Sequence, residues 1–314
     1  MINILKLLPI ISVFIISVFL YSIFIYYFNK LKIGQSVREE GLESHKVKEG
    51  TATLGGIIFI IVPIVFYTIF YKIDGQMLFV IISFLLYGII GFIDDYMIIR
   101  FKNNKGISPL FKYILQCLIA ILLYYLIIIF QMDTSITILN YEIEMGFFYA
   151  ILLLYLFPAG SNAVNLTDGV DGLVGSLMII NLVFVIFICS NKGYDYQFLL
   201  LILGSLSAFL LFNYPKASIF MGNVGAYGLG SLFIAILIYA KEEIAIIFFG
   251  IMFIFETLSV VLQVFYFKKT KGKRLFKMAP YHHHLELKGY TEKQIIYLFA
   301  LIQITINIIY MVIR

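Results

Sequence analysis

The sequence predicts an all-α protein that crosses a membrane about ten times. Of its 314 residues, 62% are hydrophobic and 13% are charged. Soluble domains are roughly half apolar and a quarter charged, so one soluble core could not bury this much apolar surface. Ten segments approach or reach the roughly twenty apolar residues that a helix needs to cross a bilayer. They are residues 5–29, 54–71, 77–93, 110–130, 146–160, 171–190, 196–213, 224–240, 243–267 and 294–313.

The first segment is too long and too aromatic for a cleaved signal peptide, and Asn29-Lys30 offers no small-residue cleavage site. We therefore expect a retained first helix. The fifth segment is short for a span, and the eighth is rich in glycine, which leaves room for a close contact between two copies of the chain. Cys117 and Cys189 lie in apolar segments and are too few for a disulfide framework. No internal repeat or soluble region appears, which predicts one integral-membrane domain over residues 1–314.

The distribution of Lys and Arg predicts how the spans are oriented. One set of connecting loops holds 18 of the 23 basic residues, and it also holds all four histidines. Because basic loops remain in the cytoplasm, we place this set there, and ten spans then put both termini outside. The loops of this set are residues 30–53, 94–112, 161–170, 214–223 and 268–293.

Two adjacent carboxylates, Asp94 and Asp95, follow the apolar third segment. They repel each other and lose solvation at this boundary, and a divalent cation or a shared proton would relieve both penalties. The alternative is a solvated pair that simply ends a helix. The basic residues that follow suit anionic lipid headgroups or a phosphate equally well. They are Arg100, Lys102 and Lys105.

A polar segment separates the fifth and sixth spans, with the sequence Ser161-Asn-Ala-Val-Asn-Leu-Thr-Asp-Gly-Val-Asp-Gly172. The oxygens of Asn162, Asn165 and Asp168 suit Mg²⁺ or hydrogen bonds to a sugar or a uracil. Asn and Asp with Gly also make ordinary turns, but that alternative does not explain a turn this long and this rich in carboxamides. The segment therefore predicts a binding site, in which Asp171 either is a ligand or only caps the sixth helix.

Two further motifs lie on the predicted cytoplasmic side. The glycines of Phe220-Met-Gly-Asn-Val-Gly-Ala-Tyr-Gly-Leu-Gly230 could serve a site or allow close helix packing. The other motif is Met278-Ala-Pro-Tyr-His-His-His-Leu-Glu-Leu-Lys-Gly289. Its three consecutive histidines cannot all point one way, so a single metal ion bound by all three is not expected. The motif favours a phosphate or pyrophosphate surface, together with the basic residues before it, which are Lys271, Lys273, Arg274 and Lys277.

Two isolated features complete the candidates. Thr51 and Thr53 stand beside paired glycines in the first predicted cytoplasmic loop, where they could cap a helix or approach a ligand. Glu256 is the one carboxylate well inside a predicted span, and it could form a hydrogen bond to a neighbouring helix. A transporter or channel would carry charged residues inside several spans. Here they lie mostly at the cytoplasmic ends, which favours a site on that face.

Together these motifs resemble the phospho-N-acetylmuramoyl-pentapeptide-transferase family over nearly the whole chain, from Ile33 to Gly289. The histidine motif is the most specific, because it separates this branch from related transferases that act on other nucleotide-sugars. The resemblance rests on Ser44-His45, Thr51-x-Thr-x-Gly-Gly56, Asp94-Asp95, Asn165-Leu-Thr-Asp-Gly-x-Asp-Gly172, Glu256-Thr-Leu-Ser-Val260 and Lys277-Met-Ala-Pro-x-His-His-His284.

The resemblance implies transfer of phospho-MurNAc-pentapeptide from UDP-MurNAc-pentapeptide to undecaprenyl phosphate. The products would be lipid I and UMP, in the first membrane step of peptidoglycan synthesis. It also implies a Mg²⁺ cofactor, contacts with membrane lipids, and a homodimer. The protein would lie in the bacterial inner membrane with its active site facing the cytoplasm, and no nucleic-acid partner is expected.

The resemblance also implies roles for individual residues. Asp94 and Asp95 would lie at the catalytic centre with Asp168, and the His282, His283 and His284 run would support the diphosphate. Mg²⁺ would be held by Asp94, Asp168 and Asn223. The substrate-binding residues would be Lys46, Lys48, Thr53, Lys112, Asn162 and Asn165.

Two positions depart from the family's pattern. Asn223 stands where an aspartate that binds Mg²⁺ is usual, and a carboxamide offers an oxygen but no charge. Ile98 stands where a lysine is usual. These departures leave two alternatives open. One is a catalytically weakened relative that binds lipid phosphate or the nucleotide-sugar without turnover, and the other is a related transferase with a different UDP-sugar.

Overall fold

The computed structural model describes residues 4–31, 50–101, 106–138 and 141–314. These ranges form twelve α-helices and one antiparallel hairpin, with β1 at Ser135–Ile138 and β2 at Tyr141–Glu144. The helices are α1 (Ile4–Leu31), α2 (Gly56–Phe70), α3 (Gly75–Phe101), α4 (Pro109–Ile129), α5 (Phe148–Thr167), α6 (Leu173–Lys192), α7 (Gln197–Asn213), α8 (Gly222–Tyr239), α9 (Ala245–Phe249), α10 (Ile251–Lys269), α11 (Tyr281–Glu286) and α12 (Glu292–Ile313).

Most of these helices are apolar enough to lie in a membrane. In the described ranges, eight helices have the length and hydropathy of membrane spans. Two further apolar helices are shorter, with 15 residues in α2 and 17 in α7. The prediction of an all-α polytopic membrane protein is therefore confirmed. The exact number of spans and the side of each terminus remain predictions.

Two predicted loops are wrong in their boundaries. Helix α3 continues to Phe101, so Asp94 and Asp95 lie inside a helix rather than in a loop over 94–112. Helix α5 continues to Thr167, so most of the predicted loop 161–170 is helical. Polar residues extend both helices because side chains and backbone groups of neighbouring segments provide them with hydrogen bonds.

The predicted ninth span is not one helix, since it breaks at Gly250 into α9 and α10. A break leaves carbonyl groups short of helical partners, which is costly in an apolar environment. Asn181 of α6 donates to the Phe249 carbonyl at 2.7 Å, and Gln303 of α12 donates to the Phe248 carbonyl at 3.2 Å. These two polar side chains hold three helices together around the break.

Helix α8 forms the centre of the bundle, and almost all of its residues are buried. Glycines allow neighbouring helices to approach α8 closely. A Cβ on Gly230 would lie only 2.5 Å from the Cα of Ser161 in α5, where no side chain fits. A Cβ on Gly56 would likewise lie 2.3 Å from the Cα of Gly225. These glycines therefore serve close helix packing within the chain. The expectation that this span leaves room for a contact between copies is wrong, because its own chain covers it.

The hairpin lies at the end of the bundle opposite to Asp94, because α3 and α4 run antiparallel and β1 follows α4. Ion pairs tie this end together. Glu242 Oε1 lies 2.8 Å from Lys192 Nζ and 2.6 Å from Arg314 Nε. The polar residues of the candidate site are therefore separated from this ionic cluster by the length of the helices.

Candidate functional site

Asp94 is fully buried near the end of α3, where groups from three other segments surround it. Its Oδ2 accepts hydrogen bonds from the Lys112 ammonium at 2.6 Å and from the Asn223 carboxamide at 2.8 Å. Its Oδ1 accepts from the backbone N–H of Ile107 at 2.6 Å. A buried carboxylate is tolerated when it is paired and hydrogen-bonded, and Asp94 meets both conditions. We call Asp94, Asp95, Lys112 and Asn223 the carboxylate cluster.

Asp95, the next residue along α3, faces the start of α8. Its Oδ2 accepts from the backbone N–H of Val224 at 3.0 Å, and only 7% of the residue is exposed. A Cβ placed on Gly222 would lie 2.5 Å from Asp95 Oδ2 and 3.2 Å from Thr53 Oγ1. Asp95 and Thr53 therefore both face this glycine. The structure thus brings the predicted substrate-binding threonine to the edge of the carboxylate cluster.

Backbone pairing places Thr53 there. Residues 52–56 run alongside residues 219–221, with a parallel bridge between Ala52 and Ile219. The Phe220 N–H donates to the Ala52 carbonyl at 2.8 Å, and the Gly55 N–H donates to the Phe220 carbonyl at 2.9 Å. Two motifs that are far apart in the sequence are joined in this way at the start of α8.

A hydrogen bond joins α4 to α5 one turn away from Lys112. Gln116, one turn after Lys112, is fully buried, and its Oε1 accepts from Asn162 Nδ2 at 2.9 Å. Asn162 Nδ2 also donates to the Pro158 carbonyl at 2.8 Å. The predicted substrate ligand Asn162 therefore uses its N–H groups to join two helices and keeps its oxygen for other contacts. Gln116 is not among the predicted site residues, although a glutamine within an apolar helix is a signal for a buried polar contact.

The polar segment after α5 ends in a turn over residues 168–172 that contacts the segment before α8. Asp171 Oδ2 accepts from the Ala217 N–H at 2.9 Å. Asn213 Oδ1 accepts from the Gly172 N–H at 2.9 Å. Asp171 therefore holds two segments together, which is a role that neither predicted alternative included.

The same turn meets the histidine motif. Asn165 and Asp168 are both partly exposed, and the Asp168 N–H donates to the Asn165 carbonyl at 3.3 Å. A Cβ on Gly169 would lie 2.2 Å from His282 Nε2. The imidazole of His282 therefore packs directly against the turn that carries Asp168.

The three consecutive histidines point in different directions, as expected from the sequence. His282 is fully buried, whereas His283 and His284 are partly exposed. His283 Nδ1 lies 2.7 Å from Glu286 Oε2, and His284 Nδ1 accepts from the Lys277 N–H at 3.0 Å. Partial burial, followed by the charges of two nearby lysines, lowers the pKa of His284, so this ring is largely neutral at pH 7. A single metal ion could not bind all three rings in this arrangement.

Glu256 is fully buried in α10, and its carboxylate reaches the histidine motif. Its Oε2 accepts from the Tyr281 N–H at 2.7 Å, and its Oε1 accepts from the His282 N–H at 3.1 Å. The sequence indicated an unusual carboxylate but not its partner, because spacing along α10 does not show which segment folds over it. Lys46 and Lys48, the other predicted phosphate contacts, lie outside the described residues.

The carboxylate cluster has the donor chemistry that Mg²⁺ prefers. The oxygens of Asp94, Asp95 and Asn223 are hard ligands. The Lys112 ammonium lies 2.6 Å from Asp94, which shows that this pocket accepts a positive charge. Among the described residues, no group of three or more His, Cys, Asp or Glu side chains forms a metal site. A Mg²⁺ ion would therefore need Asn223, or oxygens of a substrate, among its ligands.

Comparison with known proteins identifies the family. Residues 77–241 match the family described as "Glycosyl transferase family 4". A phospho-N-acetylmuramoyl-pentapeptide-transferase of Bacillus pumilus is 42% identical over 281 residues, which cover 87% of this chain and 86% of that protein. The chain belongs to the phospho-N-acetylmuramoyl-pentapeptide-transferase family. Proteins of the same name from Listeria welshimeri and Bacillus subtilis are each 41% identical, over 86% and 87% of this chain and 86% of each relative.

Membership of this family confirms the resemblance that the motifs predicted. Together with the apolar helices, it shows that the chain is a multi-pass bacterial membrane protein. All four residues of the carboxylate cluster lie within the matched range 77–241, whereas Glu256 and the histidine motif lie beyond it. The match to full-length relatives extends over most of the chain.

Asn223→Asp is expected to increase the affinity for Mg²⁺. Asn223 now donates to Asp94 at 2.8 Å, and an aspartate at this position would place a second carboxylate there. The two carboxylates would repel each other until a cation bound between them. We expect half-saturation at a Mg²⁺ concentration about tenfold below that of the wild type, because one charge is added to the ligand set. Mg²⁺ titration of the thermal unfolding midpoint measures this affinity, since a bound ion stabilises the folded state.

The matched control is Asn191→Asp, which adds the same charge at an exposed position on the far end of α6. This control should have the Mg²⁺ dependence of the wild type. If Asn223→Asp also kept that dependence, the carboxylate cluster would not be the Mg²⁺ site.

Proposed function

We propose that the chain transfers phospho-MurNAc-pentapeptide from UDP-MurNAc-pentapeptide to undecaprenyl phosphate, giving lipid I and UMP. An oxygen of the lipid phosphate attacks the phosphorus that carries the sugar, and the bond from that phosphorus to the UMP oxygen breaks. Relatives that are 41% and 42% identical over most of the chain carry the name of this activity. The observation that carries the proposal is the ion pair between the buried Asp94 and the partly exposed Lys112, near the end of an apolar helix long enough to span a membrane.

The reacting groups are anionic, so the site needs positive charge that is in place before the reaction. Lys112 supplies one such charge, since Asp94 holds its ammonium and 21% of its side chain remains exposed. In this proposal Lys112 contacts a phosphate, and Asp94 keeps it in position. Asp95 and Thr53 both face Gly222, and in this proposal Asp95 orients the lipid phosphate for attack there.

The turn over residues 168–172 forms the second half of the proposed site. Asn165 and Asp168 contact the nucleotide, and His282 contacts it beside the same turn, because its ring packs against Gly169. His283 and His284 lie at the partly exposed rim, near the exposed basic residues that precede the motif. These residues support the diphosphate of the donor substrate. Lys46 and Lys48 complete the predicted phosphate contacts.

Mg²⁺ is part of the proposal. Asp94 and Asn223 of the carboxylate cluster would hold it, and Asp168, on the turn over residues 168–172, is the third predicted ligand. When bound, the ion offsets the negative charge that develops on the phosphate oxygens. The basic loops favour an active site on the cytoplasmic face of the inner membrane. We also propose a homodimer, whose contact cannot involve the buried α8.

Purified protein in detergent tests this function directly. With undecaprenyl phosphate, UDP-MurNAc-pentapeptide and titrated Mg²⁺, we expect release of UMP and formation of lipid I. A folded sample that bound the nucleotide-sugar but released no UMP, and that gained turnover on Asn223→Asp, would be a weakened relative. Turnover with another UDP-sugar but not with UDP-MurNAc-pentapeptide would show a different donor.

A further inference from the structure

Glu256 and His282 form a contact that is completely buried between α10 and the histidine motif. Besides its two backbone hydrogen bonds, Glu256 brings Oε2 to 3.3 Å from His282 Nδ1. A carboxylate inside an apolar helix is costly unless specific partners compensate for its lost solvation. Both oxygens of Glu256 are directed to the segment that begins the histidine motif.

The same geometry determines where the other ring nitrogen points. The contact lacks the alignment of a hydrogen bond, but a negative charge 3.3 Å from Nδ1 still favours the tautomer that carries hydrogen on Nδ1. Neither ring nitrogen of His282 makes a hydrogen bond among the described residues, although Nδ1 has the Glu256 carboxylate beside it. Nε2 is buried as well. It lies against Gly169, the residue that follows Asp168. An unpartnered buried nitrogen is costly, so its position indicates a polar group that binds there.

We infer that Glu256 is a positioning residue for the transfer reaction. Its carboxylate fixes the orientation and the tautomer of His282, so that Nε2 is directed to a polar group of the nucleotide-sugar at the Asp168 turn. Glu256 itself touches no substrate and acts only through His282. This inference rests on the proposed function, because that function supplies the nucleotide-sugar.

Glu256→Gln tests the inference in the full-length protein. Glutamine keeps the size of the side chain and one oxygen for the backbone N–H groups, but it loses the charge beside Nδ1. We expect kcat to fall between about tenfold and a hundredfold, as for other groups that orient a functional histidine. The KM for UDP-MurNAc-pentapeptide should change much less. The matched control is Glu243→Gln, a buried carboxylate at the opposite end that accepts from the Tyr149 hydroxyl, and it should keep wild-type turnover.

A double-mutant cycle with His282→Asn separates positioning from a general structural effect. If Glu256 acts through His282, the double variant should be no slower than His282→Asn alone. Losses that multiply in the double variant would overturn the inference. Wild-type turnover in Glu256→Gln would overturn it as well.

A measurement on the wild type covers the case in which Glu256→Gln does not fold. Nitrogen-15 NMR of histidine-labelled protein in membranes, assigned by the signal lost in His282→Asn, reports which ring nitrogen carries hydrogen. We expect hydrogen on Nδ1, and a ring with hydrogen on Nε2 alone would overturn the inference. A wild type without transferase activity would refute the proposed function, whereas this NMR result would not depend on turnover.

Discussion

Asp94→Asn is expected to reduce the rate of UMP release by about a thousandfold. Rate losses of this size are typical when an enzyme loses one group that stabilises charge in the transition state. Both oxygens of Asp94 accept hydrogen bonds, from Lys112 and Asn223 on one side and from the Ile107 N–H on the other. In the asparagine variant, the side-chain NH₂ group would replace one of these oxygens. In either orientation it would face an N–H donor and could not accept the hydrogen bond. Lys112 would also lose its buried counter-ion, so its ammonium would no longer be held in the site. UMP release at saturating substrates measures the effect.

Asp133→Asn is the matched control for this prediction. Asp133 lies at the hairpin end and forms an ion pair with Lys241 at 3.1 Å, with 55% of its side chain exposed. Its replacement should leave turnover unchanged, because an exposed ion pair contributes little and the site is far away. If Asp94→Asn kept turnover within a few-fold of the wild type, the carboxylate cluster would not be the catalytic centre.

Gly91→Ala is expected to damage both stability and activity. A Cβ on Gly91 would lie 2.1 Å from the carbonyl oxygen of Asn223 and 2.5 Å from the backbone nitrogen of Val224. These are backbone atoms of the central helix, which cannot move aside, so α3 would shift away from α8. Overpacking of this kind costs about 3 kcal/mol of the free energy of unfolding. Turnover should fall at least about tenfold, because the shift separates the carboxylates of α3 from their partners on α8.

Thermal unfolding in detergent and UMP release measure the two effects of Gly91→Ala. Gly175→Ala is the control, because its Cβ would meet only side-chain atoms, Leu210 Cδ1 at 3.3 Å and Phe209 Cδ1 at 4.0 Å. Alanine also favours a helix over glycine, so this variant should be at least as stable as the wild type. Equal unfolding midpoints for the two variants would show that the close approach of α3 and α8 is not required.

The membrane architecture could be predicted from the sequence because it depends on local properties. Each apolar segment must form its own helix to satisfy its backbone in a bilayer, so segment length and polarity were sufficient. Local reasoning failed where other segments decide the outcome. It ended α3 and α5 too early, since it could not show that Lys112 and Gln116 satisfy the polar residues there. It also missed the break at Gly250. The carbonyl groups of the two residues before this break accept hydrogen bonds from side chains of two other helices.

The sequence by itself determined the class of protein, the positions of its apolar helices and the motifs with catalytic residue types. The resemblance to the family added that Asn223 stands where an aspartate is expected. Only the tertiary structure decided which of these groups meet, such as Asp94 with Lys112 and Asn223, and Glu256 with His282. Composition and motif spacing describe neighbours along the chain. Hydrogen-bond partners, in contrast, are set by how closely helices such as α3 and α8 can pack, and that depends on side chains from distant parts of the sequence.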